Sequence, residues 1–201
     1  MTMRPHETDQ PESDLQPRAR TDSVGLWVFL AALAMLFAAG MLGYAVIRSR
    51  AIARGSVPSL SLPGGLWLST ALMLAASIAL QYALFSIREG RQRRFMQLLY
   101  ATAALASGFV ISQVFCLSAL LSSHRAMRLA GSGLYGLVFF LIVLHALHVL
   151  GGLAALGRNI HCGRMQRYSQ TAHGPVRCTV IYWHFLDAVW LLMFAMLLGL
   201  R

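Results

Sequence analysis

The chain has 201 residues, of which 57% are hydrophobic and only 12% charged. Its formal net charge of +10 comes from 17 arginines, with no lysine. The long apolar runs exclude a water-soluble domain, and arginines placed between such runs meet lipid headgroups and set topology, which argues against a nucleic-acid partner.

Residues 1–22 hold five of the seven acids (Glu7, Asp9, Glu12, Asp14, Asp22) together with Pro5, Pro11 and Pro17. This composition predicts a disordered polar tail ahead of one membrane domain over 23–201. It does not resemble a secretory signal, because acids are abundant and the first apolar run starts late and runs long.

The first span is expected over 24–47, rich in Ala and Gly, with Trp27 and Tyr44 as anchors near its two ends. Arg48, Arg50 and Arg54 follow, then a loop with Pro58 and Pro63. The second span is expected over 64–87, with Ser77 and Gln81 inside it, and ends in a tight basic loop containing Arg88, Arg91, Arg93 and Arg94. The third covers 95–121 and carries Ser107, Ser112, Gln113 and Cys116; the fourth covers 131–156 and carries His145 and His148. A loop over 157–175 leads through Pro175 into the last span, 176–200.

The predicted fold class is therefore all-α, a polytopic membrane helix bundle with five transmembrane helices. Five spans place the termini on opposite sides. With the N-terminus inside, Arg4, Arg18, Arg20, Arg88, Arg91, Arg93, Arg94, Arg158, Arg164, Arg167 and Arg177 fall inside. Only Arg48, Arg50, Arg54, Arg125, Arg128 and Arg201 then fall outside. This favours a cytoplasmic N-terminus and a periplasmic C-terminus in a bacterial inner membrane.

Polar groups within spans carry the functional question. Asp187 stands in a long apolar run, where a carboxylate costs on the order of 2.5–3.5 kcal/mol at the bilayer centre. His184 precedes it by three residues, and His145 and His148 have the same spacing on another helix. Three imidazoles and a carboxylate have the chemistry to hold zinc or iron. HxxH alone is weak, however, and interhelical hydrogen bonding explains the same residues. Tyr182, Trp183 and Trp190 add one donor each on a large apolar body, and Gln113 adds an amide. No nucleophile sits beside a base and no phosphate loop is present, so no catalytic, cofactor-binding or metal residues are assigned to this chain. Cys116, Cys162 and Cys178 form no CxxC pattern and read as apolar fillers or thiols.

On the fourth span His145-Ala146-Leu147-His148-Val149 is followed by Gly151, and the last span reads Tyr182-Trp183-His184-Phe185-Leu186-Asp187-Ala188-Val189-Trp190. Both strings resemble subunit III of the haem-copper oxidases (cytochrome c and quinol oxidases). The last helix of that family carries Tyr-Trp-His-Phe-x-Asp-x-x-Trp. Gly25 to Leu30, Phe37 and Gln113 add weaker similarity, so the resemblance covers about 24–200. It implies that the five spans correspond to helices three to seven of a seven-helix form. Three family carboxylates are replaced here by Leu33, Cys116 and Arg177, and Ala32 stands for a family serine. The replacement leaves proton handling open.

The resemblance implies a non-catalytic subunit of a respiratory terminal oxidase in aerobic electron transport, one that stabilises the catalytic subunit and binds phospholipid. It implies no cofactor in this chain, haem and copper in the partner, and subunits I and II as companions. A subunit III-like accessory protein of a nitric oxide reductase is the alternative. A stand-alone transporter and an intramembrane metalloenzyme using His145, His148, His184 and Asp187 are readings from other classes.

Overall fold

The computed structural model describes residues 15–54, 65–127, 133–168 and 173–198. Five α-helices follow in order: α1 Leu15–Ala53, α2 Gly65–Arg88, α3 Gln92–Met127, α4 Gly133–Arg164 and α5 Gly174–Leu198. All five are long and apolar enough to cross a bilayer, and no strand occurs among the described residues. The solvent dictates this outcome. Lipid offers nothing to a backbone N–H or C=O, so each spanning segment must satisfy its own backbone as a helix. Serine and threonine hydroxyls follow the same rule. Ser69, Thr70, Ser86, Thr102 and Thr179 each donate to the carbonyl four residues earlier.

Helices α2, α3, α4 and α5 form a ring in which each touches its two neighbours, α2 lying against α3 and α5. Helix α1 stands outside the ring, on the edge between α4 and α5, and among the described residues it makes no contact with α2 or α3. The core has three parts. One unites the α2–α3 hairpin with Leu156, Val176, Val180 and Trp183. A second joins α1 to the ring through Phe37, Tyr44, Leu141, Val189 and Met193. The third is centred on Phe109, Val149, Leu186 and Trp190.

Close approach needs small residues at the crossings. A Cβ on Gly152 would lie 2.9 Å from the Trp183 ring, and one on Gly163 would lie 2.7 Å from Met96 Sδ. The two short connections end their helices alike. Gly90 takes φ 75°, while its N–H bonds the Ile87 carbonyl at 3.1 Å and that of Arg91 bonds Ser86 at 2.9 Å. Gln166 takes φ 52°, with equivalent bonds to Gly163 and Cys162, both 3.1 Å. Each is a Schellman motif, which satisfies carbonyls the helix end would leave bare.

Three expectations change. Helix α1 starts at Leu15, within the segment expected to be a disordered tail, while residues 1–14 lie outside the described residues. Extending an existing helix costs far less than starting one, so helical backbone runs past the apolar boundary. For the same reason the expected loop after residue 156 is helical to Arg164, where the Gln166 turn ends it. Tyr44 is not an interfacial anchor: it is 1% exposed and packs with Phe37 and Leu141.

Candidate functional site

Two polar constellations result, and both draw on residues of α5. The first lies inside the ring. His145 of α4 is buried, with its ring centroid 6.1 Å from Phe109, 5.4 Å from Trp190 and 6.2 Å from Phe37. Neither of its nitrogens has a hydrogen-bond partner. His148, one turn on, packs 5.6 Å from Phe37, and its Nδ1–H donates to the Leu144 carbonyl at 2.7 Å. The carbonyl of His148 accepts from the Tyr182 hydroxyl at 2.9 Å. Trp190 Nε1–H donates to Thr70 Oγ1 at 3.1 Å, joining α5 to α2. Gln113 is buried on α3, and neither end of its amide is partnered. Trp183 is buried against Gly152.

The second constellation is the α2–α5 seam. His184 Nδ1 lies 2.8 Å from Ser77 Oγ, and its Nε2 lies 3.1 Å from Gln81 Oε1. An amide oxygen only accepts, so Nε2–H donates to Gln81, while the Ser77 hydroxyl stands within hydrogen-bond reach of both His184 Nδ1 and the Asp187 carboxyl group. Asp187 Oδ2 is 3.8 Å from His184 Nδ1, beyond hydrogen-bond reach, and Asp187 Oδ1 is buried without a partner. The two residues share a side of α5 yet do not bond each other. The histidine turns to α2 and the perimeter, while the aspartate turns inward.

The possible metal quartet is therefore split between two sites. Among the described residues no three of His, Cys, Asp and Glu come together as ligands. Of the replaced family carboxylates, Leu33 is a core residue, Arg177 is exposed, and the Cys116 side chain lies outside the described residues.

Sequence reasoning singled out His184 and Asp187 and noted Ser77 and Gln81 as polar residues of the second span without pairing them with α5, and it passed over Thr70. Their spacing of seven and four residues, which puts Thr70, Ser77 and Gln81 on one side of α2, was the available signal. It also missed a latch at the α4–α5 connection. Tyr168 Oη donates to Asn159 Oδ1 at 2.9 Å, and Asn159 Nδ2 donates to Thr179 Oγ1 at 2.8 Å. Burial, with the Cys162 thiol beside it and Arg158 pulling the other way, pushes the Tyr168 phenol up to about 12.

The sequence profile described as Cytochrome c oxidase subunit III matches residues 51–198, from the last turn of α1 to the end of α5. The chain is 30% identical over 131 residues to "Cytochrome c oxidase subunit 3" of Hippopotamus amphibius. That comparison covers 63% of this chain and 47% of that protein. The same figures hold for the protein of that name from Dasypus novemcinctus. The chain thus spans about half the length of these relatives. It is 25% identical over 171 residues to "Cytochrome bo(3) ubiquinol oxidase subunit 3" of Pseudomonas putida, covering 85% of this chain and 82% of that one.

Proposed function

The chain belongs to the cytochrome c oxidase subunit III family, and from that premise we propose that it is a non-catalytic, structural subunit of a respiratory haem-copper terminal oxidase. In this reading it holds the haem- and copper-bearing subunit I, together with subunit II, in a stable assembly. The observation that carries it is how the polar residues of the family strings are used. Tyr182, His184 and Trp190 each bond another helix of the bundle. These bonds lock helix against helix, as a scaffold requires.

Lipid binding belongs to the same proposal. Exposed apolar side chains such as Leu42, Phe85 and Phe115 cover the perimeter. Exposed Arg50 and Arg54 stand at the end of α1, and Arg88, Arg93 and Arg94 at the α2–α3 turn. Apolar sides bracketed by guanidinium groups suit phospholipid tails and phosphates. The arginine distribution supports a cytoplasmic N-terminus and a periplasmic C-terminus.

The test is purification of the tagged chain in mild detergent, read by haem absorbance and subunit composition. Haem at fixed stoichiometry, with oxygen consumption by the purified assembly, is the expected result. A chain that is folded and abundant but brings no haem-bearing companion overturns the reading. An assembly that reduces nitric oxide and not oxygen replaces it with the accessory role in a nitric oxide reductase.

A further inference from the structure

Acids and arginines are sorted along this chain. Glu7, Asp9, Glu12 and Asp14 stand ahead of α1. Of the remaining acids, Asp22 lies in α1, Asp187 is buried within its span, and Glu89 pairs with Arg91 at 3.3 Å. The connection from α4 to α5 carries Arg158, Arg164, Arg167 and Arg177, all exposed, and the sequence has no acid between residues 133 and 186.

Topology brings the two sets to one side of the membrane. With five spanning helices, the start of α1, the α2–α3 turn and the α4–α5 connection emerge together, whichever way the bundle is oriented. Packing then selects the connection. Helix α1 rests on the edge between α4 and α5 and, among the described residues, touches neither α2 nor α3. Contacts along its length fix the levels. It runs antiparallel to α4, with Gly40 against Leu141 and Phe37 against His148, and parallel to α5, with Phe29 against Tyr182. Extended towards the start of α1, both registers set Arg158 and Arg177 level with its first apolar turn, which begins at Val24. Leu15 stands nine residues further out, roughly 13 Å at the usual helical rise. The acidic segment therefore begins beside the α4–α5 connection. Residues 1–14 can reach up to about 45 Å when extended, enough to cross it.

We propose that the acidic segment 1–14 docks on the arginine face of the α4–α5 connection as an electrostatic strap tethered through α1. The charge pattern selects this occupant. Guanidinium groups bind carboxylates through paired hydrogen bonds, and the tether holds this chain's own carboxylates there at high local concentration. Each exposed pair is weak, so the strap holds through several at once. It is therefore sensitive to salt, since the screening length falls from about 10 Å at 0.1 M to about 3 Å at 1 M. The strap needs only the five-span topology and stands apart from the oxidase-subunit reading.

The experiment uses the full chain in native membranes, with a benzophenone amino acid replacing Gln10 so that every acid is kept. At low salt, photolysis should give an adduct within the chain, mapped by digestion and mass spectrometry to residues 158–177, where the exposed Met165 offers reactive C–H bonds. Raising the salt to about 1 M should cut the yield about tenfold. The combined substitutions Glu7→Gln, Asp9→Asn, Glu12→Gln and Asp14→Asn should do the same at low salt. Chain abundance should stay unchanged, because acids contribute little to membrane orientation. An adduct elsewhere in the chain, with lipid, with a second copy or with another polypeptide overturns the proposal, as does no adduct at all. So does a yield that either the salt or the neutral variant leaves unchanged.

Discussion

Helices α5 and α1 are both apolar enough to span a bilayer, yet half of the α5 span is buried and only 17% of the α1 span. Hydrophobicity does not separate them, because lipid solvates an apolar side chain as well as protein does. Polar content does. Helix α5 carries Thr179, Trp183, His184, Asp187 and Trp190, and it is surrounded by α1, α2 and α4. Between Val24 and Ile47, helix α1 has only Trp27 and Tyr44 with any polar atom. Over that stretch it joins the bundle by packing, along a strip that includes Leu30, Leu33, Phe37 and Tyr44. Gly40 lets Leu141 approach there, since a Cβ on it would sit 2.5 Å from that side chain.

The contrast can be broken most severely from the α1 side. Leu33→Glu restores a carboxylate where the family has one, but Leu33 is a core residue here. The substitution should cost on the order of 3 kcal/mol and deplete folded chain, read as protease-resistant protein in the membrane. Stable accumulation would show that α1 has a polar partner. On the α5 side, Gly152→Val drives a side chain into Trp183, which is buried and has no room to turn. A loss of about 1–3 kcal/mol is expected in detergent unfolding.

Tyr168→Phe sharpens the comparison at the end of α5, since it removes the bond to Asn159 for about 1 kcal/mol. The sign with pH is fixed by the upward shift from the ordinary phenol value of 10.0 to about 12. The neutral phenol is favoured in the folded chain, so its contribution is complete below about pH 10 and is lost as pH rises towards 12. Thermal unfolding between pH 9 and 12 should weaken in the native chain and less in Tyr168→Phe. The smallest effect is expected at Leu42→Ala on the exposed side of α1. It should stay within about 0.5 kcal/mol in the same unfolding assay, and a larger loss would show that α1 is held by more than its buried strip.

The five spans were legible in the sequence because the bilayer reads length and hydropathy and little else. The helix ends were not. Arg158 and Arg164 close an apolar run, but long arginine side chains can reach the interface while the backbone stays helical, so α4 continues to Arg164. The site was legible in part. Spacing of three residues put His184 and Asp187 on one side of α5, and both are polar groups of the seam. It could not say that Ser77 and Gln81 would receive the imidazole. Which α2 residues stand opposite is set by the register between two helices, and that is not written in the pattern of either one. The Asn159–Tyr168–Thr179 latch escaped for the same reason, as its three members come from two helices and the turn between them.

The tight Gly90 turn also bears on how the protein is made. With only Glu89 to Arg91 between them, α2 and α3 cannot cross the bilayer at separate times and find each other later. They must leave the insertion machinery as an antiparallel hairpin, the arrangement in which Ser69 and Ser112 come 3.0 Å apart. A nascent chain arrested soon after Met127 should therefore resist alkaline extraction before α4 has been synthesised. Later helices would then dock onto a template that is already in place.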